Sequence, residues 1–105
     1  MRDRSHDDVM AETFRADPVY AAELLSDILA DGPEARPELL IALRQIAKSF
    51  GGVPSLAQAA NLNPTSLYRM LSANGNPTLD SITAILRPLG LRLAVAPAEK
   101  DPVNA

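Results

Sequence analysis

The chain contains no cysteine, which removes disulfides, thiolate metal sites and cysteine nucleophiles from consideration. Histidine occurs once, as His6, lying among Asp3, Asp7 and Asp8 beside a helix start. A carboxylate partner or solvent suits it there better than catalysis, and without further strong ligands it builds no metal site. There is no glycine-rich phosphate loop, since Gly51-Gly52 ends a helix, and neither Ser55 nor Ser66 has an evident general base. The expectation is a protein that is not an enzyme and needs no metal or cofactor. No apolar run approaches the ~20 residues needed to span a bilayer. The N-terminal MRDRSHDD is charged where a signal peptide would be apolar, so a soluble cytoplasmic protein with no membrane contact is expected.

What the chain does contain is enough for one globular domain, since 105 residues with 47% apolar side chains fill one core but not two. Its charge is unevenly placed. Residues 1–36 carry four basic and nine acidic side chains, a balance of −5, whereas residues 44–95 carry five basic side chains and only Asp80, a balance of +4. Either both halves are solvated helix faces, or the basic half suits phosphate contact and the acidic half a basic partner.

The periodicity reads as helix almost throughout. Ser5 with Asp8 forms a capping-box pattern opening a helix through Val9, Met10 and Phe14. Asp17-Pro18 opens a second, with Ala21, Leu24, Leu25, Ile28 and Leu29 on one face, and Gly32 ends it. After Pro33 and Pro37, a third helix presents Leu39, Leu43, Ile46, Ala47 and Phe50 and stops at Gly51-Gly52. Leu79, Ile82, Ile85, Leu86 and Leu89 form a final amphipathic run closed by Gly90. Leu91 to Val95 then alternates as a half-buried strand does, and residues 97–105 read as a disordered tail. A single strand leaves its backbone groups unpaired. Pairing with the same strand of a second copy, through Leu91, Leu93 and Val95, would make a homodimer; pairing with the N-terminal segment is the alternative.

Between the third and last helices lies VPSLAQAANLNPTSLYRMLSANGNP, residues 53–77, which reads as two short helices joined by Asn61-Leu62-Asn63. Ser55 is the expected cap of the first, Asn61 tolerates positive φ in the turn, and Pro64 restarts the chain as helix. The small Ala57 permits close crossing, with Leu62, Leu67 and Leu71 holding it. A helical hairpin in any small all-α domain has this pattern, as does a helix-turn-helix that sets its second helix in a DNA groove. In the latter case Thr65, Ser66 and Arg69 face the DNA, with Asn63 and Tyr68 at the edge. Arg69 is the strongest candidate, because a bidentate arginine-guanine contact discriminates by roughly 1–3 kcal/mol. Tyr68 suits packing or DNA equally. Ser72, Asn74, Asn76 and Thr78 after the second helix suit either phosphate contact or turn and cap chemistry, and Arg44 and Lys48 either phosphate contact or a solvated face.

The run LAQAANLNPTSLYRMLSANGNPTLDSITAILRPLGLRL resembles the Xre-type helix-turn-helix antitoxins of the addiction-module antidote, HigA-like, group. That group has a similar L-Y-x-x-L-s-x-x-G-N-P-T stretch ending in L-G-L-x-L. The upstream RSHDD, FRADP, YAAELL and LLIALRQIAKSFGG are similar too, so the resemblance spans nearly all of residues 4–96. It implies an all-α fold of five to six short helices with a lambda-repressor-like helix-turn-helix and a short C-terminal β-strand. It also implies a type II antitoxin that binds and neutralises a small basic RelE/ParE-like (HigB-like) toxin and represses its own operon on double-stranded operator DNA. Residues 1–36 would then be a toxin-binding acidic segment, and residues 37–96 the DNA-binding domain. Against a basic toxin, Asp17, Glu23, Asp27 and Asp31 are the expected contacts, unless that helix only packs on the domain with its charges in water. Two prolines depart from the pattern. Pro64 replaces a polar contact at the head of the DNA-facing helix, and Pro88 interrupts the last turn of the final one. A stand-alone helix-turn-helix regulator without a toxin is the alternative, and a protein-interaction module, given a pI near 5.0, is the third reading.

Overall fold

Each helix start is written locally in the sequence, as a short polar cap, a proline or both. In the computed structural model, which describes residues 5–98, the Ser5 hydroxyl accepts the Asp8 N–H at 3.1 Å and opens α1 (His6–Ala16). The Asp17 N–H closes α1 on the Thr13 carbonyl at 2.8 Å. The Asp17 carboxylate then accepts the Tyr20 N–H at 3.1 Å to open α2 (Pro18–Ala30). Gly32, at φ 82°, turns the chain into a 3-10 turn at Pro33–Ala35 that runs into α3 (Arg36–Ser49). Three shorter helices follow, α4 (Val53–Ala60), α5 (Pro64–Met70) and α6 (Leu79–Leu86). Pro88 does not break α6 internally. It sits in a 3-10 turn, Arg87–Leu89, that Gly90 ends at φ 76°.

The helical class agrees with the sequence reading, but the C-terminal strand does not form. Among the described residues there is no strand, and residues 91–98 run without regular secondary structure. The reason lies in what a strand is. Its backbone groups need a neighbouring strand, and the rest of the described chain, from the first residues of α1 onward, is committed to helices and the turns between them. The expected disordered tail lies, from residue 99 onward, outside the described residues. A second correction concerns Ser55, which lies inside the first turn of α4 rather than capping it. The helix has already begun at Val53, with Gly52 at the cap position at φ 122° and Pro54 in the first turn, where its missing N–H costs nothing.

All six helices share one core. Phe14 of α1, Leu25 and Ile28 of α2, Leu43 and Ile46 of α3, Leu56 of α4, Leu67 of α5 and Ile85 of α6 belong to a single buried cluster. Polar bonds pin α1 across α3. The Gln45 amide, only 4% exposed, donates to Asp7 at 3.0 Å, Lys48 pairs with Asp8, and Arg15 donates to the Ser49 carbonyl at 3.0 Å. Phe14 stacks on Tyr20 with ring centroids 6.0 Å apart, which ties the α1–α2 corner to the same core. Among the described residues no helix is long and apolar enough to cross a membrane.

Candidate functional site

The α4–α5 corner is fixed by its backbone. Asn61 adopts the left-handed conformation, φ 57° and ψ 44°, and the Leu62 N–H reaches back to the Ala57 carbonyl at 2.8 Å. The Asn63 side chain accepts the Ser66 N–H at 3.0 Å, and Pro64 follows at the first helical position. Asn63 thus caps α5, which occupies the carbonyl end of its amide. Ala57, Leu67 and Leu71 are buried on the inner side, as the pattern required.

That corner turns one face of α5 outward. Thr65, Ser66, Tyr68 and Arg69 are all exposed. Tyr68 is 61% exposed, which removes it from the core and leaves its ring on the surface. Arg69 has no side-chain hydrogen bond or ion pair among the described residues. A guanidinium that spends no donor on a described residue is available as a binding group.

The loop after α5 is mostly occupied with its own folding. The Ser72 hydroxyl donates to the Arg69 carbonyl at 2.7 Å, the Gly75 N–H donates to the Ser72 carbonyl at 2.8 Å, and Thr78 caps α6 by accepting the Ser81 N–H at 3.1 Å. The Asn76 side chain accepts from Arg36 at 3.3 Å, and Asn74 is exposed without a side-chain bond among the described residues. Of the two cations offered by α3, Arg44 donates to the Leu71 carbonyl at 2.7 Å and so holds the C-terminal end of α5. Lys48 pairs with Asp8, with its side chain 49% exposed, and such a pair is worth only about 0.2–1 kcal/mol. Arg36 had no role in the sequence reading. It joins the start of α3 to the loop that follows α5, across 40 positions that no local pattern connects.

A second surface lies on α2. Glu23, Asp27 and Asp31 recur every fourth residue on its exposed side, with Val19 at the head of the same stripe and 65% exposed. None of the three carboxylates has an ion pair among the described residues. Asp27 and Asp31 stand toward the C-terminal end of α2, which has no basic residue in its last turn. Carboxylates there oppose the helix dipole at about 0.3–1 kcal/mol each. Asp17, the fourth acidic candidate, is separate in function because it caps α2. Leu91 and Leu93 are half-buried and Val95 is exposed. No group of side chains among the described residues could hold a metal ion.

The family model described as "Probable addiction module antidote protein" matches residues 8–97, a span that takes in nearly all of α1, the five helices after it and the segment beyond Gly90. No curated protein and no solved structure matches the chain.

Proposed function

Because the chain belongs to the family of probable addiction module antidote proteins, we propose that it is an Xre-type, HigA-like antitoxin with two binding surfaces. One, the acidic stripe of α2, binds and neutralises a small basic toxin of the RelE/ParE-like (HigB-like) kind. The other, the outward face of α5, enters the major groove of operator DNA and represses the operon that encodes both proteins. Both activities belong to the cytoplasm, and neither requires a catalytic step.

The observation that carries this reading is the pairing of a family match along most of the chain with an exposed arginine on α5 that bonds no described side chain. Arg69 stands beside Thr65 and Ser66 on a helix whose start is fixed by the Asn63 cap and whose end is held by Arg44. Arginine supplies the discriminating contact, the two hydroxyls adjust sequence preference, and Asn74 and Lys48 are candidates for phosphate. On α2, carboxylates kept at a helix end where they lower stability are explained by a partner that neutralises them.

The test separates the two surfaces in one protein. Arg69→Ala should weaken binding to the chain's own promoter fragment by about 5- to 150-fold, the equivalent of about 1–3 kcal/mol, while Thr65→Ala and Ser66→Ala shift base preference. Rescue of growth from the co-expressed neighbouring gene product should be unchanged by Arg69→Ala. The double variant Glu23→Lys/Asp27→Lys should do the reverse, losing rescue while retaining promoter affinity. Equal promoter affinity and preference in all three α5 variants would sink the DNA assignment. A neighbouring product that neither arrests growth nor binds the chain would leave the stand-alone regulator as the better reading.

A further inference from the structure

We propose that the cleft between the start of α3 and the loop after α5 binds a small organic acid, a single carboxylate carried on a short apolar body. The inference depends neither on the DNA reading of α5 nor on the toxin reading of α2. It begins with the space. The turn from α2 into α3, at Gly32 and Pro33, and the loop at Asn76 and Pro77 wall a cavity of about 380 Å³. Ligand pockets span roughly 300–1,000 Å³, so this one takes a small molecule rather than a helix or a strand.

The lining divides by chemistry. Ile28, Ala35 and Leu39 are buried and belong to the shared core, so the apolar part of the wall is held rigidly by the fold. Leu29 adds an exposed apolar side chain that the fold leaves uncovered. The polar groups are donors. Arg36 Nη1 donates to Asn76 Oδ1 at 3.3 Å, its one side-chain hydrogen bond among the described residues. Glu34 and Glu38, its near neighbours in sequence, form no ion pair with it. The Asn76 NH2 group donates to no described residue. One acceptor is thus already taken, while the guanidinium and the amide keep further N–H donors to offer.

That imbalance selects the occupant. A carboxylate accepts two parallel N–H bonds from one guanidinium and keeps lone pairs for an amide. Beside an apolar wall such bonds are stronger than in open water, because the local dielectric is lower. An ammonium would meet only donors, and a wholly apolar molecule would leave the donors unused. Acetate would satisfy the donors but cover little of the apolar wall. Asp31, Glu34 and Glu38 stand close in sequence to the walls, and they oppose a second negative charge, which favours a monoacid over a diacid or a phosphate ester. A short apolar monoacid therefore answers both the donors and the apolar wall.

Hexanoate is the probe, titrated into the full chain and followed by amide NMR. It should shift the signals of Gly32, Arg36 and Asn76 with a millimolar or tighter dissociation constant, as a ligand of this size allows, and leave those of Leu91 and Leu93 in place. Acetate and hexylammonium should each bind at least about tenfold more weakly, the first for want of apolar burial and the second for its charge. Arg36→Gln should weaken hexanoate binding by about 10- to 100-fold, the loss expected for hydrogen bonds to a charged group. Arg36→Lys, which keeps the charge without the planar fork, should fall between that variant and the parent. Arg36 is exposed, so both variants should melt near the parent. No shift at saturating hexanoate, equal binding of hexylammonium, or undiminished affinity in Arg36→Gln would each overturn the proposal. So would a peptide ending in leucine that binds there when hexanoate does not, which would make the cleft a seat for the C terminus of another protein.

Discussion

Gly75→Ala should lower the thermal midpoint by tens of degrees or abolish the cooperative transition altogether. A Cβ at this position would lie 1.8 Å from the Met70 carbonyl oxygen, 2.5 Å from its carbon and 3.0 Å from the Ser72 oxygen. All three are backbone atoms, so no rotamer change gives room. The loop would have to lift away from the end of α5, breaking the Gly75–Ser72 hydrogen bond and moving the carbonyl that Arg44 holds at Leu71. Destabilisation beyond about 4–5 kcal/mol is exceptional for one substitution, and backbone collision of this kind belongs in that class. In a domain of this size each 1 kcal/mol shifts the midpoint by about 4–8 °C. Gly90→Ala is the control, because Gly90 has a left-handed φ of 76° but open space around its Cβ position. That variant should lose only about 1–2 kcal/mol. Thermal melts followed by circular dichroism compare the two, and a Gly75→Ala protein melting within a few degrees of the parent would contradict the tight turn.

Removing residues 1–36 should leave a fragment without a cooperative fold. The sequence pattern suggested that residues 37–96 could stand as a DNA-binding domain by themselves. In the structure, Phe14, Ala21, Leu25, Ile28 and Ala35 belong to the same core as Leu43 and Ile46 of α3. Deleting one large core side chain costs about 2–5 kcal/mol, and a whole domain holds only about 5–15 kcal/mol. Loss of several together exceeds that reserve. Urea titration of the fragment checks it, and a sharp transition near that of the full chain would mean that α1 and α2 are appended to an independent domain. The practical consequence is that the proposed division between toxin and DNA binding is better tested by charge reversal on α2 than by truncation.

Local chemistry made much of the fold legible. Ser5, Asp17 and Thr78 each cap a helix by accepting an N–H three residues ahead. Asn61 and Gly90 take the positive φ that their turns require. Asn63 carries the same signal as Asp17, a short polar residue before proline, and in the structure it caps α5. The partners that the sequence pattern did not show are the remote ones. Arg44 bonds Leu71 from 27 positions away and Lys48 meets Asp8 across the α1–α3 crossing, and neither separation leaves a trace in a periodic pattern. The C-terminal alternation was legible as well, but a strand exists only where something pairs with it.

The central position of α3 also sets a clock for the molecule. Leu39, Leu40, Leu43, Gln45 and Ile46 are buried along it, and α1, α2 and α4 all pack against it. Its middle amides can meet solvent only when the whole domain opens, so their deuterium uptake should be the slowest in the chain and should report its total stability. At the other extreme, the amides of residues 92–96, which bond no described residue, should exchange at nearly the rate of an unstructured peptide.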